Sequence, residues 1–251
     1  MLFPQPEGYS PPSLIYTLFD GTSGSDNGGL RNRDDFAWSE IAKAFVKDHP
    51  DASINLADKM LEHYGEDGTI VAGFHSSPQP VLNEIVVLHP ERVWERVTKY
   101  LGPPIDSRGF YIKEWLRGGG YFGEGGIGAL SLVPLERIWE WVDGDIESRA
   151  RCLASFVPKT LFDKEGKVCL AREVLARYGD RENVRRSFSA NYSTEGWSGP
   201  ESLHHQERKQ QLLAFKEGES NRNVIRWIDD YVQALDRQIE RARIREERED
   251  F

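Results

Sequence analysis

An internal repeat restricts the folds that are open to this chain. Residues 91–97 read Glu-Arg-Val-Trp-Glu-Arg-Val, and residues 136–142 read Glu-Arg-Ile-Trp-Glu-Trp-Val. The spacing of about 45 residues lies within the 40–47 residues that stacked pairs of helices typically show. A proline stands just upstream of each copy, at Pro90 and Pro134, and proline is favoured in the first turn of a helix. The repeat therefore predicts two equivalent helices, each carrying one tryptophan.

A second self-match supports a helical array. The pattern Leu-Ala, then Leu, then Tyr-Gly occurs at residues 56–65 and again at residues 170–179. Its spacing corresponds to roughly three repeats of 38 residues, which differs from the first spacing, and helical repeats with insertions are often irregular in this way. Equivalent tryptophans in a repeat more often fill the core than bind a ligand.

On these two repeats, residues 34–243 resemble an α-solenoid of the HEAT type. The resemblance implies an all-α fold, an irregular HEAT-like superhelix of stacked helix pairs. Residues 102–200 also resemble the helical C-terminal regions of large bacterial multidomain proteins, some of them NTPase-type defence or signalling proteins. Both resemblances imply architecture, and neither carries over a catalytic residue.

The remaining segments differ in composition from this helical region. Residues 1–33 contain four early prolines and a Gly/Ser/Asn/Asp-rich stretch, which predicts an extended N-terminal arm or linker. Residues 244–251 are almost entirely charged and are predicted to continue the last helix as a solvated tail. Between them, we expect helices near residues 34–49, 51–64, 80–88, 90–101, 107–117, 134–143, 146–156, 167–178, 181–190, 202–216 and from 221 onward, with loops at 118–128 and 191–200.

Composition limits the classes of function. The net charge of −9 disfavours binding to nucleic-acid phosphates. The chain has only two cysteines, too few for a disulfide framework, and neither a signal peptide nor a membrane span is expected. These features predict a cytoplasmic protein.

No strong catalytic motif occurs. Gly123, Gly125 and Gly128 match the dinucleotide-binding string, but a helix rather than a strand is predicted before them. The six histidines and two cysteines lack the spacings of a local metal site. We therefore expect no enzyme activity, no metal and no small-molecule cofactor.

Five residues are candidates for contact with a partner. Trp197 lies in a Gly/Ser loop, where it is either an exposed anchor for a partner or a cap on the last repeat. Tyr192 belongs to the same loop, and His204 follows it near the start of the next predicted helix. Arg185 and Arg186 belong to an arginine-rich stretch that forms either a basic face or, with its interleaved acids, a solvated mixed-charge surface.

Three functions follow from these expectations. The first is a non-enzymatic helical-repeat module for protein–protein interaction or scaffolding, because a solenoid presents an extended surface to another protein. The second resembles the HEAT-like DNA glycosylases, with Trp94, Trp139 and Asp143 as the residues to test. The third is a terminal sensor domain of a larger bacterial defence or signalling protein, with its ligand at residues 180–217.

Overall fold

A computed structural model describes residues 31–63, 79–102, 107–118, 128–161, 169–194 and 196–249. The regular secondary structure of these residues is entirely helical, with no strand, which confirms the predicted all-α class. Short 3-10 helices cover Thr98–Tyr100 and Ala129–Leu132. The eleven α-helices among the described residues are α1 (Arg31–Asp48), α2 (Pro50–His63), α3 (Gln79–Leu88), α4 (Pro90–Val97), α5 (Ser107–Arg117), α6 (Leu135–Asp143), α7 (Ile146–Ala154), α8 (Leu170–Tyr178), α9 (Glu182–Tyr192), α10 (Glu201–Glu217) and α11 (Arg222–Glu249).

The chain divides into two compact units between Trp141 and Val142. In the first unit, α1 packs on α2 and α3, and α2 packs on α3 and α4. Contacts between alternate helices are typical of stacked helix pairs. The HEAT-like superhelix nevertheless stays a prediction, as does the single repeat domain over residues 34–243.

The two copies of the tryptophan repeat form α4 and α6 and contact each other. Trp94 and Trp139 are both buried, as expected for core residues. The indole Nε1 of Trp94 donates a hydrogen bond of 3.1 Å to the carbonyl oxygen of Arg137. The Trp94 ring also meets the edge of Trp141, with the ring centroids 5.4 Å apart. Sequence repetition thus places the two copies side by side.

The second unit contains α7 to α11. Helix α9 packs on α7 and α8, and the long α11 packs on α8 and on α10. Asn191 ties α9 to the end of α7, because its Nδ2 donates to the carbonyl oxygens of Ala154 (3.3 Å) and Val157 (2.9 Å). Asn221 caps the start of α11, where its side-chain oxygen accepts from the backbone N–H of Asn223 at 2.9 Å.

The buried face of α11 contains aromatic as well as aliphatic residues. Two aromatic residues, Trp227 and Tyr231, are buried on it, whereas Ile225 and Val232 are only half-buried. The helix also continues through the predicted tail to Glu249. Arg245 stays 61% exposed in that tail and pairs with Glu201 at the start of α10, with 2.7 Å between Nη2 and Oε2.

Two further predictions concern the N-terminal arm and membrane-spanning helices. The extended arm lies outside the described residues, apart from the start of α1 at Arg31. Among the helices that the structure describes, none combines the length and apolar character needed to cross a bilayer.

Candidate binding site at the α9–α10 loop

The loop between α9 and α10 carries Trp197 and is fixed at its start. The hydroxyl of Ser193 donates to the Ser189 carbonyl oxygen at 2.7 Å, so the Tyr231 hydroxyl 2.9 Å away must donate to it. The next residue, Thr194, donates its own hydroxyl to the carbonyl oxygen of Asn191 at 2.8 Å. Lys159 Nζ then donates to the carbonyl oxygen of Thr194 at 2.6 Å. These bonds fix the chain where it leaves α9.

Trp197 is exposed but has a defined position. Its side chain is 47% exposed, while its ring lies nearly parallel to the imidazole of His204, with centroids 5.1 Å apart and an angle of 12°. The ring of His205 lies 6.0 Å away on a tilt of 48°. Both histidines belong to the first turns of α10. The structure therefore favours the exposed position of Trp197 over the capping position that the sequence left open.

A cavity of about 370 Å³ lies beside this stacked pair. Its lining contains two cationic side chains, Lys159 and Arg208, the imidazole of His204, and one carboxylate, Glu207. The other lining residues are Thr160, Leu161, Tyr192 and Gln211. We call Trp197, His204 and this cavity the Trp197 surface.

Arg208 connects the cavity to the core beneath it. The residue is 6% exposed, and its guanidinium carbon lies 4.1 Å from the centroid of the Tyr192 ring and 5.9 Å from that of Tyr231. Nη2 also donates to the carbonyl oxygen of Tyr192, the last residue of α9. A cation at the C-terminal end of a helix is favoured by the helix dipole. Arg208 thus holds α9 and α10 together while forming part of the cavity wall.

The floor of this region is a buried aromatic cluster. Trp227 meets Phe188 and Tyr192 edge-on, with centroid distances of 4.8 and 5.3 Å, and lies nearly parallel to Tyr231 at 5.2 Å. Its indole nitrogen donates to Ser189 Oγ at 2.9 Å. Such pairs stabilise a fold beyond the area that they bury. The cluster gives the Trp197 surface a rigid base.

The end of α11 holds the start of α10. The residue before α10 is Pro200, which offers no capping side chain. Instead, the carboxylate of Glu246 accepts hydrogen bonds from the backbone N–H of Ser202 (2.9 Å) and from its hydroxyl (2.6 Å). These bonds lower the pKa of Glu246 below the ordinary glutamate value. We call this contact the Glu246 cap.

Glu201 adds a second contact at the same place. It lies 3.4 Å from Nε2 of the buried His205 and also pairs with Arg245. The other nitrogen of His205, Nδ1, is buried without a hydrogen-bond partner among the described residues. The first turn of α10, which supports Trp197, is therefore held by the last turns of α11.

The structure brings three of the five predicted residues together. Trp197, His204 and Tyr192 all belong to the Trp197 surface. Arg185 is 8% exposed and donates to the carbonyl oxygens of Gly179 (2.7 Å) and Asp180 (3.0 Å), which makes it part of the fold. Arg186 has a side chain that is 78% exposed, and it pairs with Glu182 beside a different cleft.

Sequence reasoning did not single out Lys159, Glu207 or Arg208 as residues that contact a partner. A signal for Arg208 was present, because His204, Arg208 and Gln211 share one face of a helix at spacings of four and three residues. Lys159 reaches the cavity from a distant loop, and no local pattern reveals that contact.

The residues of the nucleic-acid alternative are placed differently. Trp94 and Trp139 are buried, and Asp143 accepts a hydrogen bond of 3.1 Å from the hydroxyl of Tyr178. Burial, together with this bond, raises the pKa of Tyr178 to about 12. Asp143 is thus engaged with a neighbouring helix, which suits a structural role.

Comparison with protein-family models, curated proteins and solved structures gave no match to this chain. In the part of the chain that the structure describes, no group of three or more His, Cys, Asp or Glu side chains is placed to hold a metal ion.

Proposed function

We propose that this protein is a non-catalytic binding module that holds a segment of another protein at the Trp197 surface. The observation that carries the proposal is the half-exposed, stacked Trp197. Tryptophan is enriched among the residues that dominate protein–protein binding energies, because one side chain offers a large and rigid contact area. Because stacking on His204 already orders the Trp197 ring, less side-chain entropy is lost when a partner binds.

Charge indicates the kind of partner. The chain as a whole is acidic, with a net charge of −9, yet the cavity beside Trp197 has two cationic side chains and one carboxylate. This local reversal of sign favours an acidic segment and disfavours a second copy of the same acidic chain. We infer that the partner segment is extended, with an apolar side chain on Trp197 and acidic character next to it.

A selection from random peptides displayed on phage tests this function. We expect the protein to enrich peptides with an apolar and an acidic residue in proximity. Trp197→Ala should weaken their binding at least about tenfold, equivalent to about 1.4 kcal/mol. Phe110→Ala is the matched control, because Phe110 is an equally exposed aromatic residue in the first unit.

Peptides whose binding is equally sensitive to both substitutions, or to neither, would contradict the proposal. Circular dichroism of both variants checks that they remain folded, so that a loss of binding reports on the surface itself.

A further inference from the structure

The cavity in the Trp197 surface has the composition of a carboxylate-binding site. We propose that it selects a single aspartate or glutamate side chain of the partner segment; this inference rests on the function proposed above. Lys159, which carries an ammonium group, and Arg208, which carries a guanidinium group, both line the cavity. They carry three and five N–H donors respectively, and both bind carboxylates through charge-assisted hydrogen bonds.

Burial makes Arg208 the more selective of the two groups. Its side chain is held between the Tyr192 ring and the Tyr192 carbonyl oxygen, so its orientation is fixed before the ligand arrives. Preorganised donors lose little entropy on binding. The pair interaction is also stronger at a partly desolvated site than on an open surface.

Lys159 supplies the second cationic side chain of the cavity and connects it to the loop of Trp197. Lys159 lines the cavity, and its Nζ donates to the Thr194 carbonyl oxygen at 2.6 Å, which connects it to the loop that carries Trp197. A carboxylate that binds Lys159 therefore contacts the same segment that positions the tryptophan. We infer that the acidic side chain and the apolar side chain on Trp197 are neighbours in the partner sequence.

Glu207 limits the site to one acid. It lines the same cavity, so its charge repels a carboxylate and reduces the excess positive charge at neutral pH. A second acidic side chain would meet this repulsion without additional cations among the described lining residues. Removal of the Glu207 charge should consequently strengthen binding of an acidic ligand, the opposite of the effect expected at Lys159.

The experiment compares two synthetic peptide pools with the same randomised flanks, one with Leu-Glu at its centre and the other with Leu-Gln. Fluorescence polarisation measures their binding to the full chain. We expect the Leu-Glu pool to bind at least tenfold more tightly, and added salt to reduce that preference. Lys159→Gln should lower the preference several-fold, and Glu207→Gln should raise it.

Lys209→Gln is the matched control on the same helix, because Lys209 pairs with Asp236 at 2.6 Å and does not line the cavity. Equal binding of the two pools, with binding still lost in Trp197→Ala, would overturn carboxylate selection and leave the binding module intact. Binding that ignores Trp197 altogether, or no binding by either pool, counts against both proposals.

Discussion

The second unit contains two tryptophans in opposite settings. Trp227 is fully buried, with three aromatic rings around it and its indole nitrogen bonded to Ser189. Trp197 is about half exposed, on a loop, and stacked on a histidine. Tyr192 connects the two settings, because it belongs to the aromatic cluster and also lines the cavity. One unit thus places one tryptophan in its buried aromatic cluster and the other in an exposed position that is fixed by stacking.

The largest difference between the two settings should appear in stability. Trp227→Ala should lower the free energy of unfolding by about 4 kcal/mol, because it removes a buried aromatic side chain and leaves a cavity. Trp197→Ala should lower it by about 0.5 kcal/mol or less, as is usual for surface substitutions. Urea denaturation monitored by circular dichroism gives both values. Similar losses would show that Trp197 is also part of the core.

Two adjacent arginines differ in the same way, because Arg185 is buried and Arg186 is exposed. Arg185→Ala should lower the free energy of unfolding by about 2 kcal/mol, because the buried Gly179 carbonyl oxygen and the partly buried Asp180 carbonyl oxygen lose a charged donor. Arg186→Ala removes an exposed ion pair, and such pairs contribute about 0.5 kcal/mol. The same denaturation measurement compares them. A larger effect at Arg186 would contradict the assignment of Arg185 to the fold.

Loss of the Glu246 cap should loosen the start of α10 without loosening the aromatic cluster. Glu246→Ala removes the acceptor for the backbone N–H of Ser202, so we expect faster amide hydrogen exchange in the first turn of α10. Exchange in α9 should remain unchanged. Glu247→Ala, one position away on the exposed surface, is the control. Faster amide exchange throughout the second unit would mean that the start of α10 and the aromatic cluster do not open separately.

The smallest expected effect is a dependence on acid pH. The pKa of Glu246 is lower in the folded protein, so its contribution is present above the ordinary glutamate pKa of about 4.5 and is lost as pH falls through the lower folded value. An NMR titration of the Ser202 amide should therefore have a midpoint below 4.5. The stability difference between the wild type and Glu246→Gln should shrink over the same range. A midpoint at or above the ordinary value would exclude the cap.

Much of the helical framework follows from local sequence. The helix expected at residues 80–88 occurs at Gln79–Leu88, and the one expected at 107–117 occurs at Ser107–Arg117. Proline, glycine and apolar spacing act over a few residues, so these signals can be read directly. The sequence could also have shown which side of α9 faces the core. Arg185 stands three residues before the buried Phe188, and that spacing places it on the inner side of the helix.

The candidate site depends more on contacts between distant residues. Trp197 and His204 were identified as candidates, since an aromatic residue in a polar loop and a nearby histidine are local features. The cavity joins Lys159 to Arg208, and the Glu246 cap joins α11 to α10 across 44 residues. Pairings of this kind depend on how helices are packed, which no window of sequence reports.

The length of α11 has a mechanical consequence. Its 28 residues extend about 42 Å. Near its beginning the helix contributes Trp227 to the aromatic cluster. Near its end it is hydrogen-bonded to α10 through Glu246. The last turns of a helix unravel most easily, and partial opening of this kind needs far less free energy than global unfolding. Opening confined to the last turns of α11 should therefore release the Glu246 cap while Trp227 remains in the aromatic cluster.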